Sequence, residues 1–193
     1  KKLPTPKEWQ DLTQAPYYDH VSISAPSRSG TTHLTIETIL QGEGWDKGWR
    51  TIKQMAGNFQ TITERSFGVP EAVNSGQVGY GIVIDFFAFS AQASGFPVKF
   101  VYPTVTTIVP ANIGVVANAP NKAGALLFVN YLTEAETQKK LNASLGSYVA
   151  RTDFKGDAAL IPEDQRQKNQ QPWLPGPYKK LYIEQFVSEV LQK

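Results

Sequence analysis

The sequence has no cysteine, which excludes disulfides, thiolate nucleophiles and zinc or iron–sulfur sites built on thiolates. That absence fits an exported bacterial protein, and many cytosolic proteins share it. There are two histidines, His20 and His33, and neither stands in a His-Glu-x-x-His or similar ligand spacing. An ordinary surface or core role suits both. A Gly-x-Ser-x-Gly elbow is missing, as is any evident base for a serine nucleophile. Charged residues make up 19% of the chain, below the usual share of about a quarter. With Lys+Arg at 19 and Asp+Glu at 17, the net charge of +2 is too balanced for nucleic acid or membrane headgroups as the main partner. No apolar run approaches the roughly 20 residues of a membrane span; the longest, Gly81–Phe89, is interrupted by Asp85. No signal-peptide pattern stands at Lys1, so the expectation is a mature chain, an engineered form or a fragment. What is present, over 193 residues, is 41% hydrophobic and 11% aromatic residues, enough for a sizeable core in one or two domains.

The chain reads as alternating strands and helices. Thr5-Pro6-Lys7-Glu8 predicts a helix start, with Thr5 as cap, Pro6 at the first position and Glu8 completing a capping box. His20–Ser24 alternates polar and apolar, the period of a half-buried strand. Helices follow at Thr31–Leu40, broken at Gly42–Gly44, and at Trp45–Gly57, with Trp45, Trp49, Ile52 and Met55 on one side. Phe59–Thr63 predicts a strand and Ser66–Ser75 a helix with Val69, Ala72 and Val73 inward. Tyr80–Ile84 predicts a strand buried on both faces. Phe86–Ser94 reads as a helix ended by Gly95, Val98–Tyr102 as a strand, and Pro103–Pro110 as a connector. Beyond it stand a strand at Asn112–Ala117 and helices at Asn121–Leu132 and Thr133–Leu145, the second with Thr133 and Glu136 as a capping box. Arg151–Pro177 reads as an extended surface segment and Tyr178–Gln192 as an amphipathic helix. This rhythm argues for an α/β sandwich.

Three places can carry chemistry. Pro26-Ser27-Arg28-Ser29-Gly30-Thr31-Thr32 lies between a predicted strand and a predicted helix, where free backbone amides and the helix dipole favour an anion. Gly30 permits close approach, Ser29, Thr31 and Thr32 add hydroxyls, and Arg28 adds charge if it turns inward. The alternative is that Ser29 merely caps the helix, since no phosphate loop ending in Gly-Lys-Thr is present. Asp85 ends an apolar strand, at the sheet edge where open α/β folds bind ligands; its alternative is an N-cap for the helix at Phe86. In Glu64-Arg65-Ser66, Arg65 is a natural partner for a carboxylate or phosphate, or else a solvated surface arginine.

"LPTPKEWQDLTQAPYYDHVSISAPSRSGTTHLTIETIL" resembles the opening of the second lobe of periplasmic solute-binding proteins of ABC importers. There a Pro-x-x-Trp-x-x-Leu segment precedes a strand, an anion-binding Ser-Gly-Thr turn and a helix. "NSGQVGYGIVID" resembles the segment leading into the hinge-side strand, and "ANIGVVANAPNKAGALLFVNYLTEAETQKKL" the return to the first lobe. The resemblance covers about Leu3–Arg151 and is to the branch that contains ferric-iron, aminoethylphosphonate, phosphosugar and phosphoglycerate binders. Iron-binding members carry paired tyrosines where this sequence has Phe86-Phe87, and phenyl rings offer no oxygen to a metal.

The resemblance implies a type II periplasmic-binding sandwich of which this chain holds the second lobe and C-terminal elements of the first. The expected divisions are 1–103 for the ligand-binding lobe, 104–150 for a strand and helices of the first lobe, and 151–193 for an extended segment and closing helix. The implied function is non-enzymatic, periplasmic uptake or sensing of a small organic anion, phosphorylated or a phosphonate, without metal or cofactor. Its site would comprise Ser27, Ser29, Gly30, Thr31, Thr32, Arg65 and Asp85. The implied partner is an ABC-importer permease or a membrane sensor. Lacking the strands of the first lobe, residues 112–145 are expected to expose an apolar face, met by a swapped dimer or a missing N-terminal lobe. The alternatives are a ferric-iron binder of the same fold, and an interaction or sensor domain without a transport role.

Overall fold

Val21–Ser24 (β1) forms the centre of a three-stranded parallel sheet, flanked by Phe59–Thr63 (β2) on one side and Tyr80–Gly81 (β3) on the other. The computed structural model describes residues 3–107, 112–145, 150–153 and 176–192. They gather into two units, Lys1–Ile108 with Gln167–Lys193, and Val109–Arg166.

In the first unit the helices are Gly30–Glu43 (α1), Trp45–Ala56 (α2), Gly68–Asn74 (α3) and Asp85–Ala93 (α4). Parallel neighbours on both sides of β1 require crossovers in opposite directions. Because such crossovers are right-handed, α1 and α2 cover one face of the sheet and α3 the other. The first face is the main core: Val21 and Ile23 meet Ile36 and Ile39 of α1 and Trp49, Ile52 and Met55 of α2. The second face is made close by small residues. A Cβ on Gly81, which pairs with Ser22, would lie 2.8 Å from Val69 and 2.9 Å from Val73 of α3.

That close approach corrects the half-buried reading of β1. All four of its residues are buried, because α3 covers the serine face that alternation assigns to solvent. The strand at Tyr80–Ile84 is shorter than predicted. One further ladder bond runs from Ile82 N to the Ser22 carbonyl (2.9 Å) before the chain turns into α4.

Other boundaries shift for local reasons. Thr5 starts no helix; the first turn is 3-10, Trp9–Thr13, and Asp11 accepts from the Lys7 and Glu8 amides at 2.8 and 3.1 Å. Glu8 instead holds the backbone amide and hydroxyl of Thr104. Gly42 does not break α1, which runs on to Glu43. Its lack of a side chain admits Val105, whose Cγ1 lies 2.3 Å from where a Cβ would stand. The break falls at Gly44, whose φ of +82° suits glycine. The connector is also held by Trp9, whose Nε1 donates to the Val105 carbonyl at 2.8 Å, and by a Thr38–Thr107 hydroxyl pair.

Residues 98–102 form no strand. The Val98 amide donates to the Phe96 carbonyl and its carbonyl accepts from Gln92 Nε2, so its backbone is occupied locally. Residues 112–117 are likewise without a ladder among the described residues. Helices Lys122–Thr133 (α5) and Ala135–Leu145 (α6) follow in the second unit, α5 capped by Asn121 Oδ1 accepting from Gly124 N at 2.9 Å. Thr133 does not cap α6: its hydroxyl donates back to carbonyls of α5, and Glu136 pairs with Lys139. Leu127 and Phe128 of α5 are exposed.

Residues 154–175, most of the expected surface segment, lie outside the described residues, as do 108–111 at the end of the connector. Gly176–Phe186 (α7) continues as a π-turn through Leu191 and returns to the first unit, where Tyr182 and Phe186 are completely buried in its core. Leu181, next to Tyr182 on the same helix, faces outward.

Candidate anion-binding site

All three strands run the same way, so the turns that follow them share one edge of the sheet. The β1–α1 turn carries Ser27–Thr32, the β2–α3 turn Glu64–Phe67, and the β3–α4 junction Asp85–Phe87. With order β2-β1-β3, the chain leaves β1 in one direction and reaches β3 from the other, the switch at which open α/β sheets form a crevice.

The first turn is built around Ser29, the N-cap of α1. Its side chain accepts from Thr32 N and Thr32 Oγ1, both at 3.2 Å, and its carbonyl accepts from His33 N at 3.2 Å. Of the free amides at the helix start that of Thr32 is thereby satisfied, and His33 N makes the first regular bond of the helix. Those of Gly30 and Thr31 have no hydrogen-bond partner among the described residues, and a Cβ on Gly30 would meet nothing within 4 Å. Thr32 is fully buried and shares a 2.6 Å hydrogen bond with Ser24, so its hydroxyl braces the turn from within. Ser27 is exposed and Thr31 half-buried.

A second contact joins this turn to its neighbour: Ser29 Oγ and Ser66 Oγ lie 2.6 Å apart. In the sequence Ser66 stands beside Arg65 with no role of its own. Spacing carried no signal for a bond between residues 37 apart. Arg28 does not turn inward. Its Nε and Nη2 donate to Glu64 Oε1 at 3.2 and 2.7 Å in a largely exposed pair, and this hydrogen bonding holds the Glu64 carboxyl below its usual range. Arg65 is exposed, and while its carbonyl accepts from the Thr63 hydroxyl at 2.9 Å and from Gly68 N at 3.1 Å, its side chain has no hydrogen bond or ion pair among the described residues.

Asp85 is the first residue of α4, where its Oδ1 accepts from Phe86 N at 2.8 Å, and its Oδ2 accepts from the Tyr102 hydroxyl at 2.9 Å. The cap of α4 is Ile84, so Asp85 does not serve as its N-cap; one oxygen accepts from the next amide, and Tyr102, which the sequence assigned to a strand, supplies the other bond. Phe87 packs nearly perpendicular to Phe67, with ring centroids 5.1 Å apart. One turn into α1, His33 has its pKa lowered by burial and then by the Lys179 charge.

Among the described residues no cluster of three His, Asp or Glu side chains is placed to hold a metal, and no helix is long and apolar enough to cross a membrane. The arrangement is a polar turn with two open amides, bordered by an arginine and a hydrogen-bonded carboxylate.

A family model described as bacterial extracellular solute-binding protein matches residues 1–172. The chain belongs to this family. Over 149 residues it is 36% identical to the phosphoglycerate transport regulatory protein PgtC of Salmonella typhimurium, an alignment covering 77% of this chain and 37% of that protein. In structure it matches the periplasmic binding protein AfuA from Actinobacillus pleuropneumoniae, solved with fructose-6-phosphate bound, at a TM-score of 0.76 and 21% identity. It also matches iron-bound HitA from Pseudomonas aeruginosa at a TM-score of 0.66 and 16% identity. These matches take in 98% and 97% of this chain and 61% of each of the others. The chain therefore has the type II periplasmic-binding fold in part, as its resemblance implied, and spans less than two thirds of the proteins it matches.

Proposed function

We infer that the chain is the C-terminal portion of a periplasmic receptor for a small organic anion bearing a phosphoryl or phosphonate group. The observation that carries this reading is the start of α1: Ser29 satisfies the Thr32 amide, and those of Gly30 and Thr31 stay open with the helix dipole behind them. A phosphoglycerate transport regulator and a receptor solved with fructose-6-phosphate among the similar proteins support the choice of anion.

In this reading Gly30, Thr31 and the Ser27 hydroxyl meet the anion, while Ser29 and Thr32 shape the turn. Arg65 supplies long-range charge, and Asp85, oriented by Tyr102, accepts from a hydroxyl or amine elsewhere on the solute. Residues 1–103 serve as the ligand-binding lobe, 104–150 belong to the other lobe, and 151–193 return to close the chain. The missing part of the first lobe comes from an N-terminal portion or a swapped second copy. The loaded receptor hands its solute to an ABC permease or signals to a membrane sensor, and it catalyses nothing itself. Ferric iron is disfavoured because Phe86 and Phe87 offer no oxygen.

The test is a thermal-shift screen of the full-length protein against phosphorylated compounds, phosphonates, carboxylates and ferric iron. A ligand at about 100 times its dissociation constant adds about 2.7 kcal/mol, a clear rise in melting temperature. Gly30→Asp, which places a negative charge at the open amides, is expected to abolish the shift. An unchanged shift in that variant refutes the site, and a response to iron alone refutes the anion.

A further inference from the structure

The sheet edge that bears the anion turn also bears three phenylalanines that the reading above leaves unused. Phe67 follows Ser66, whose hydroxyl is bonded to Ser29 at 2.6 Å, and consecutive Cα atoms are about 3.8 Å apart, so this ring stands beside the turn. Phe86 follows Asp85 at the head of α4. Phe67 is 68% exposed and Phe86 36%, an unusual amount of aromatic surface to leave in water at one place. Neither ring dangles. Phe87 packs against Phe67 at 5.1 Å and 78°, and against Phe86 at 5.6 Å and 62°, so one half-buried ring braces two exposed ones.

We propose that Phe67 and Phe86, braced by Phe87, form a platform that receives a flat apolar ring carried by the anion held at Gly30 and Thr31. This rests on the anion reading and narrows it to phosphorylated or phosphonylated aromatic and heteroaromatic compounds. The chemistry follows from the neighbours. Open amides favour the charged group, the phenyl faces favour a ring with no charge of its own, and Asp85 and Arg65, each next in the chain to this cluster or one residue away, are placed for polar substituents. An acyclic phosphoacid has no apolar face to lay on such a surface. A braced phenylalanine loses little freedom on binding, and an aromatic pair adds a gain of about two- to tenfold in affinity beyond its buried area.

The experiment is calorimetric titration of the full-length protein with inorganic phosphate, glycerol 3-phosphate, phenyl phosphate and benzyl alcohol. Phenyl phosphate is expected to bind about tenfold tighter than glycerol 3-phosphate. Phe67→Ala and Phe86→Ala are expected to erase most of that preference while leaving inorganic phosphate unchanged, and Phe67→Tyr to keep it. Both rings are exposed, so an unchanged melting temperature verifies that the alanine variants fold. Equal affinities for the two organic phosphates, or a preference that survives both alanine variants, overturns the platform and leaves the anion site standing. Binding of benzyl alcohol with no binding of any phosphate overturns the anion site, and with it the coupling of ring to anion. Silence with all four overturns both.

Discussion

Glu37 lies in mid-helix α1, 6% exposed, where an uncompensated carboxylate would be very costly. It is compensated by hydrogen bonds from the Tyr182 hydroxyl and Gln41 Nε2, both at 3.1 Å. The burial that this arrangement requires pushes the Tyr182 hydroxyl well above its ordinary pKa. One turn earlier, His33 is held below its ordinary value by burial and by Lys179. A depressed histidine pKa means that the unfolded chain takes up its proton first as pH falls. Stability from this group is therefore present above about pH 6.5 and is lost as pH falls through the folded-state value. Urea unfolding of wild type and His33→Gln between pH 7 and pH 5 is expected to show a shallower loss in the variant; parallel curves would contradict it. The Ser29 cap was legible because a serine before Gly-Thr-Thr at a strand–helix turn has one common local use. Glu37 was signalled only faintly, as a lone acid inside Ile36–Leu40, and its partner lies 145 residues away.

At the scale of elements, the helices followed their periodicity and the strands depended on partners. Phe59–Thr63 is a strand because β1 lies beside it, whereas 98–102 has similar residues but no such neighbour among the described residues, and Val98 spends its backbone bonds on Phe96 and Gln92. No local pattern distinguishes these two cases. The seating of α3 is decided by two small residues, Ser22 and Gly81, which alternation treats as a polar face and a neutral one. Gly81→Ala is expected to cost about 1–3 kcal/mol, because the new methyl meets two stiff valines at 2.8 and 2.9 Å. Gly30→Ala is the control: with nothing within 4 Å it is expected to leave unfolding by denaturant nearly unchanged. Equal effects at the two positions would refute the packing argument.

For the molecule as a whole, the decisive long-range feature is α7. Residues near the end of the chain fill the core formed near its beginning, and Tyr182 and Phe186 are as buried there as Val21. Phe186→Ala removes a buried ring from between α7 and that core and is expected to destabilise the protein by about 3–5 kcal/mol in equilibrium unfolding. A loss below about 1 kcal/mol would mean that α7 is not part of the same cooperative unit. Family membership was accessible from ordered motifs over Leu3–Arg151, since a strand, an anion turn and a helix keep their sequence whether or not their neighbours are known.

By itself the sequence determined what short-range chemistry can write: most of the helices, the Ser29 cap, the glycine break between α1 and α2, the absence of thiol chemistry and the family. The tertiary structure alone decided which strands find partners and that β1 is covered on both faces. It also decided that Arg28 is taken by Glu64, that Ser66 closes on Ser29, and that Tyr102 fixes Asp85. The reason is one of distance along the chain. Caps and turns are settled within a few residues by local hydrogen bonds and backbone preference. Pairing and burial are settled only when segments tens of residues apart compete for the same surface.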